Sequence, residues 1–160
     1  MTEQEFNQAA QRYLDMVYRI ALNALRRPAD AEDAAQTVML RLWQTQEAFE
    51  GEDHLRHWLV RVTVNVCRDL TRSAWYRRIV PLERCPEPTF SAPEEGRLYD
   101  AVMALPGKYR LPLYLYYYEG YGAAEVGELL GVKTSTIQTR LARGREKLKK
   151  TAGGGMNDET

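Results

Sequence analysis

Glu125-Val126-Gly127-Glu128-Leu129-Leu130-Gly131-Val132-Lys133-Thr134-Ser135-Thr136-Ile137-Gln138-Thr139-Arg140-Leu141-Ala142-Arg143 is the stretch on which the fold turns. Val126, Leu129 and Leu130 are spaced for one helical face, Gly131 supplies a stop, and Ile137, Leu141 and Leu148 recur at helical intervals beyond it. The pattern predicts helix, tight turn, helix. A small residue at Gly127 lets the two helices approach, and Thr134 or Ser135 is placed to cap the second by accepting an orphan backbone N–H. The exposed face of the second helix then carries Gln138, Thr139, Arg140 and Arg143, side chains suited to base edges and phosphates. A helical hairpin with a solvated basic face is the plainer alternative for this stretch alone.

Outward from this motif, helical periodicity continues in both directions. Gly120 and Gly122 lead into it from a tyrosine-rich helix expected over about Tyr109 to Glu119, where Pro112 is awkward unless it stands in a first turn. Before that, Leu98, Ala101, Val102 and Leu105 predict a short helix closed by Pro106-Gly107. Four prolines between Ile79 and Pro93 remove helix hydrogen bonds and read as a linker. After Lys150 the tail to Thr160, with Gly153-Gly154-Gly155, reads as disordered.

Upstream of the linker lie three helical patterns. Phe6, Tyr13, Val17, Ile20, Ala21 and Ala24 mark one face of a helix from about Glu3 to Arg26, ended by Pro28. Asp30 is a candidate N-cap for a second, through Ala35, Val38, Met39, Leu42 and Trp43 to about Ala48, with Glu32 and Asp33 favoured by its dipole. A third begins near His54 or Leu55 and runs to about Tyr76. Its β-branched run, Val60 to Val66, could suggest a strand, but some sixteen residues of period 3.6 exceed a usual strand. It ends in Trp75-Tyr76-Arg77-Arg78, rings beside guanidinium groups, an arrangement that can hold unpaired nucleic acid or simply pack. The expected fold is all-α: two small helical domains joined by a Pro-rich linker, with residues 1–78 and 94–150 as the domains.

The chain has 160 residues, 44% of them hydrophobic, and 22 basic against 22 acidic side chains. Zero net charge argues against a polyanion partner until the distribution is read. Lys133, Arg140, Arg143, Arg145, Lys147, Lys149 and Lys150 face a single acid, Glu146, and Arg56, Arg61, Arg68, Arg72, Arg77 and Arg78 face Asp69. Two basic stripes of this kind suit a two-point nucleic-acid binder, although solvated helix faces also carry such charge. Cys67 and Cys85 form no CxxC pair and are expected as reduced thiols. His54 and His57 lack a third ligand. No phosphate loop, nucleophile elbow or HExxH motif is present, so no catalytic residue, metal or cofactor is expected. The acidic, polar N-terminus and the lack of a long apolar run predict a cytoplasmic protein without membrane insertion.

These residues resemble the small extracytoplasmic-function (ECF) sigma factors of bacterial RNA polymerase. Three blocks carry the likeness: Asp30 to Gln36 through Arg41-Leu42-Trp43; Trp58 to Asn65 through Arg68-Asp69; and Ala104-Leu105-Pro106 through Tyr118-Glu119-Gly120-Tyr121 into the helix-turn-helix. The resemblance covers nearly all of residues 5 to 149. It implies that Asp33, Gln36 and Arg41 face the polymerase. It also implies that Phe49, Asn65, Arg68, Asp69 and Arg72 meet the melted -10 element, and that Ser135, Thr136, Gln138, Thr139, Arg140 and Arg143 meet the -35 element. Core polymerase, promoter DNA and an anti-sigma factor are the implied partners. Lys133, Ser135, Gln138 and Thr37 depart from the family's usual choices, so promoter preference does not carry over. The rival reading is a free-standing helix-turn-helix regulator that binds duplex DNA without polymerase; a small nuclease is disfavoured by the missing acidic metal cluster.

Overall fold

A computed structural model describes residues 1–72 and 100–152, the last two by their backbone alone. The chain divides into two compact units, Met1–Pro86 and Glu87–Thr160. Among the described residues all regular structure is helical, with no strand. The expectations for Trp75 to Arg78, the linker, Cys85, Leu98 and the tail from Gly153 lie outside the described residues.

In the first unit, α1 (Glu3–Leu25) opens on a reciprocal cap. Glu5 N–H donates to Thr2 Oγ1 at 3.1 Å and Thr2 N–H donates to Glu5 Oε1 at 2.9 Å, satisfying two donors that a helix start otherwise leaves orphaned. The helix stops at Arg26, which takes a left-handed conformation and donates its N–H to the Leu22 carbonyl. Pro28 is therefore not the breaker expected from the sequence. It is the first residue of α2 (Pro28–Gln44), where a fixed φ suits the helix and the missing N–H is not needed. Asp30 consequently sits inside the first turn, not at the N-cap, which is Arg27. The helix also ends earlier than Ala48. Thr45 is extended and its Oγ1 accepts the Glu47 N–H at 3.1 Å, a local side-chain turn that competes with further helix. A loop over residues 45–51 leads into α3 (Glu52–Arg72).

The core of this unit is the seam where Val17, Ile20, Leu22 and Leu25 of α1 meet Ala31, Ala34, Val38 and Leu42 of α2 and Leu59, Val60 and Val64 of α3, all almost fully buried. Alanines on α2 let α1 approach closely. The β-branched run of α3 is accommodated because most of it is buried, and Thr63 satisfies its buried hydroxyl by donating to the Leu59 carbonyl at 2.6 Å.

In the second unit, residues 100–103 are helical and are followed by α4 (Gly107–Tyr117), α5 (Ala123–Leu130) and α6 (Thr134–Ala152). Pro106 and Gly107 open α4 where a closing turn was expected, and Pro112 stands inside the helix, beyond its first turn. Arg110 is 1% exposed, yet its guanidinium donates to the Leu105 carbonyl at 2.6 Å. A buried cation thus ties α4 to the end of the preceding turn, where a free carbonyl would otherwise be costly.

The turn between α5 and α6 is set by two glycines. Gly131 adopts φ 72°, the left-handed cap that ends α5, and Gly127 accepts the Val132 N–H at 2.9 Å. A Cβ on Gly127 would lie 2.7 Å from the Val132 carbonyl oxygen, so the close approach that needs a glycine is to the turn's own backbone. The Lys133 carbonyl accepts the Ile137 N–H at 3.1 Å, so Thr134 and Ser135 belong to the first turn of α6 and do not precede it. Gly144 is buried mid-helix on α6, where a Cβ would meet Leu113 Cδ1 at 2.8 Å and Tyr109 Cβ at 3.4 Å. α6 packs closely on Leu113 and Tyr109 of α4 at this position.

Both glycines yield a stability prediction. Alanine improves helix propensity by about 1 kcal/mol, whereas forced overpacking costs about 1–3 kcal/mol. Gly127→Ala meets a backbone atom and is expected to lose about 2 kcal/mol; Gly144→Ala meets a movable leucine and loses about 1 kcal/mol. Thermal melts followed by circular dichroism check the order, and a raised melting temperature for either variant would contradict this packing.

Candidate nucleic-acid interface

On α6 the buried positions Ile137, Leu141 and Gly144 form one stripe. Ser135, Thr139, Ala142, Arg143 and Glu146 follow at helical spacing on the opposite side, all exposed, with Gln138 beside them. Thr136 and Arg140 are half-buried on the flank. The six predicted residues therefore share one outward part of α6, four of them exposed and two half-buried at its flank. The basic run does not all belong to it. Arg145 donates to the Tyr117 hydroxyl at 2.9 Å, and the Lys147 ammonium lies 5.7 Å from the Tyr109 ring centroid, so both lean toward α4. Arg143 is the basic side chain exposed at the centre of the arc.

The second surface lies on α3 and the loop before it. Trp58, Asn65 and Arg72 recur every seven residues, which holds them to one side of the helix, with Arg61, Arg68 and Asp69 alongside. Asn65, Asp69 and Arg72 are exposed; Arg61 and Arg68 are half-buried. Phe49, on the loop, reaches the same side. Its ring meets Trp58 edge-to-face at 5.4 Å and His54 at 5.2 Å. Trp58 is half-buried and supports Phe49. The stripe runs from an aromatic cluster at the start of α3 to a polar and cationic end, about 10 Å from Trp58 to Asn65 along the axis.

A salt-bridge cluster fixes the start of α3 against α1. Glu52 Oε1 accepts from the Tyr13 hydroxyl at 2.6 Å and pairs with the Arg12 guanidinium at 2.6 Å. The tyrosine hydrogen bond and then the arginine hold the Glu52 carboxyl below the ordinary carboxylate range, while burial and the same carboxylate push Tyr13 up. A depressed carboxyl stabilises the fold above its unfolded value, and that contribution is lost as pH falls through the folded one.

The third surface is on α2. Asp33 and Gln36 are exposed one turn apart, and Thr37 Oγ1 donates back to the Asp33 carbonyl at 3.0 Å. Arg41 is exposed too and lies about 80° around the helix from Asp33 on the side away from Gln36, so the three span a broad face of about 140° with Asp33 between the others. What the sequence reading missed lies beside Gln36. Leu40 is 54% exposed, Trp43 47% and Leu14 of α1 43%. They edge a groove of about 800 Å³ between α1 and α2, floored by Phe6, Ala35 and Met39, with Trp43 edge-to-face on Phe6 at 5.3 Å. The signal was available: Ala35, Val38, Met39, Leu40, Leu42 and Trp43 span a wider arc than one core-facing stripe needs. Groups of three metal-binding side chains are absent among the described residues, and no described helix is long and apolar enough to cross a membrane.

Comparison with known proteins places these surfaces in context. The model of Sigma-70 region 2 matches residues 9–77, and that of Sigma-70 region 4 matches residues 95–148. The ECF RNA polymerase sigma factor SigM of Mycobacterium tuberculosis is 31% identical over 151 residues, covering 92% of this chain and 77% of that protein. SigW of Bacillus subtilis is 28% identical over 156 residues, covering 86% and 83%. Among solved structures, the sigma factor RpoE in complex with the anti-sigma factor NepR from Bartonella quintana superposes with a TM-score of 0.72 at 20% identity, covering 92% of this chain and 96% of that one. CnrH in complex with the cytosolic domain of CnrY gives 0.61 at 22% identity, covering 92% and 86%.

Cys67 supplies a check on the core behind the α3 stripe. It is buried and burial pushes its thiol up to about 12. A raised value means the folded state is favoured below the unfolded thiol's range, and that contribution is lost as pH rises toward the folded value. With Cys85→Ser to leave one thiol, native protein at about pH 8 is expected to resist maleimide labelling that goes to completion in denaturant. Rapid native labelling would show that α3 does not pack as described.

Proposed function

We propose a function from one premise: this chain belongs to the extracytoplasmic-function sigma factors of bacterial RNA polymerase. It directs core RNA polymerase to specific promoters and initiates transcription there. The chain contributes recognition and strand separation, and the polymerase contributes the chemistry; it acts in the cytoplasm, where polymerase and promoter are. The observation that carries the residue-level reading is the presence, in one chain, of two differently built nucleic-acid surfaces. The α6 arc has the shape and side chains of a major-groove reader, and the Phe49 to Arg72 stripe has those of a surface for unpaired bases. A free-standing duplex-binding regulator has no use for the second, and nothing in the relatives favours it.

The residues divide the work as follows. Gln138, Thr139 and Arg143 read the -35 bases, Thr136 and Arg140 hold its backbone, and Ser135 meets the same element from the first turn. Phe49, Asn65, Arg68, Asp69 and Arg72 receive the -10 strand, where an extruded base loses a few kcal/mol of stacking that a polar pocket beside an aromatic ring can offset. Polymerase binds residues 1–78 through Asp33, Gln36 and Arg41, and the exposed Leu40 and Trp43 extend that surface as its apolar centre. Residues 94–150 carry the -35 reader, with 79–93 as the linker. The RpoE structure holds the anti-sigma factor NepR and the CnrH structure the cytosolic domain of CnrY, and an anti-sigma partner belongs to this reading of the chain.

Two substitutions test it. Leu40→Glu places a charge on an exposed apolar site, so the fold should persist while affinity for core polymerase falls by on the order of 2 kcal/mol, roughly thirtyfold. Unchanged co-purification with core would remove the α1–α2 groove from the interface. Arg143→Ala should cost about 1–3 kcal/mol of discrimination between a cognate and a mutated -35 site. Equal loss on both sites would reassign Arg143 to phosphate, and no loss on either would remove it from the reading arc.

A further inference from the structure

The loop over residues 45–51 has no helix or strand of its own, yet Phe49 on it must be held if it is to present an edge to DNA. Its fastening is His54. The Glu50 backbone N–H lies 3.0 Å from His54 Nδ1, and the ring packs edge-to-face on Phe49 at 5.2 Å. A backbone N–H can only donate, so Nδ1 must be bare and the ring proton must sit on Nε2. Nε2 points to Glu47 Oε2 at 3.5 Å. The neutral ring therefore holds the loop at three places: the backbone of Glu50, the ring of Phe49 and the carboxylate of Glu47.

Protonation divides these contacts. An imidazolium carries hydrogen on both nitrogens, so Nδ1–H would oppose the Glu50 N–H and that bond is lost, while the pairing with Glu47 strengthens. The other charged groups nearby do not compensate. Glu52 is engaged by Arg12 and Tyr13 of α1, and His57, one turn on, lies 3.3 Å from Arg61 through Nε2. Asp53, next to His54 in the chain, and the Glu50 side chain are the remaining carboxylates of this segment. The backbone anchor thus exists only with the neutral ring.

We propose that neutral His54 is a positioning residue for promoter opening: it fixes the Phe49 loop, and its protonation releases the loop and weakens opening. This rests on the reading of Phe49 and α3 as the -10 surface. His54→Asn supplies an acceptor oxygen near the Nδ1 position but cannot titrate across the range where histidine does, about pH 5 to 8. His54→Ala supplies neither. Two measurements on the full chain separate the parts of the idea. In amide NMR spectra, the Glu50 resonance of the wild type should move with the His54 ring titration and should lose that movement in both variants. With core polymerase, on a genomic fragment where this chain initiates, permanganate-detected opening by the wild type should fall several-fold relative to His54→Asn toward the acidic end. His54→Ala should open slowly throughout. A Glu50 resonance indifferent to the ring titration overturns the clamp, and if Glu50 follows the ring, identical pH profiles of opening for wild type and His54→Asn overturn the step from clamp to promoter opening. If Glu50 titrates but opening is the same in all three proteins, the proposal falls through the -10 assignment and not through the clamp.

Discussion

The close approach of Gly127 to the carbonyl of Val132 is the constraint on which the placement of α6 depends. No side chain fits there, since a Cβ would come to 2.7 Å of the oxygen. Gly131, left-handed at φ 72°, ends α5 so that the chain can make this approach, and α6 begins within three residues. The angle between the helices is thereby set by backbone, not by interchangeable side chains. Once it is set, burying Ile137, Leu141 and Gly144 leaves only one arc of α6 for solvent. Gly144 then brings the helix close against Leu113 and Tyr109. The identity of the outward residues follows from this packing: Thr139 and Arg143 face out because Ile137 and Leu141 face in.

The first unit solves a different problem. Its three helices bury a seam built on alanines and aliphatics, and two of its described faces turn large or charged side chains outward. One is the α1–α2 groove, edged by Leu14, Leu40 and Trp43. Large apolar side chains left in water around a groove are the mark of a surface that is covered in an assembly. The other is the α3 stripe, where aromatic rings at one end pass into Asn65, Asp69 and Arg72 at the other. The loop residue Phe49 joins that stripe because His54 and Trp58 pack on it from the same helix. Rigid helix and fastened loop together give a surface on which an unpaired strand can be held.

Much of this was legible in the sequence, for identifiable reasons. Period 3.6 located every described helix, and Gly131 marked the turn because few residues other than glycine tolerate its φ. The outward residues of α6 followed from the same periodicity. Proline was read with the wrong sign twice: Pro28 and Pro106 precede helices as openers, and their local chemistry suits a start as well as a stop. Trp43 and Leu40 were hidden because an apolar residue on an amphipathic helix looks like core until the partners are counted. Gly144 had no evident purpose in the sequence, since its partner Leu113 is remote along the chain. The His54 contact was out of reach for the same reason that loops generally are: a side chain to backbone hydrogen bond leaves no periodic trace.

On the proposed reading, the α6 arc, the α3 stripe and the α1–α2 groove make a single claim, that recognition is shared between this protein and the polymerase it joins. Neither surface alone needs to be selective, because both must be satisfied by the same promoter. Run-off transcription with purified core polymerase on fragmented genomic DNA measures this directly. Addition of the full chain should create discrete new start sites that core alone does not produce. Tight binding of the isolated chain to duplex DNA, with no new start site in the presence of core polymerase, would contradict it.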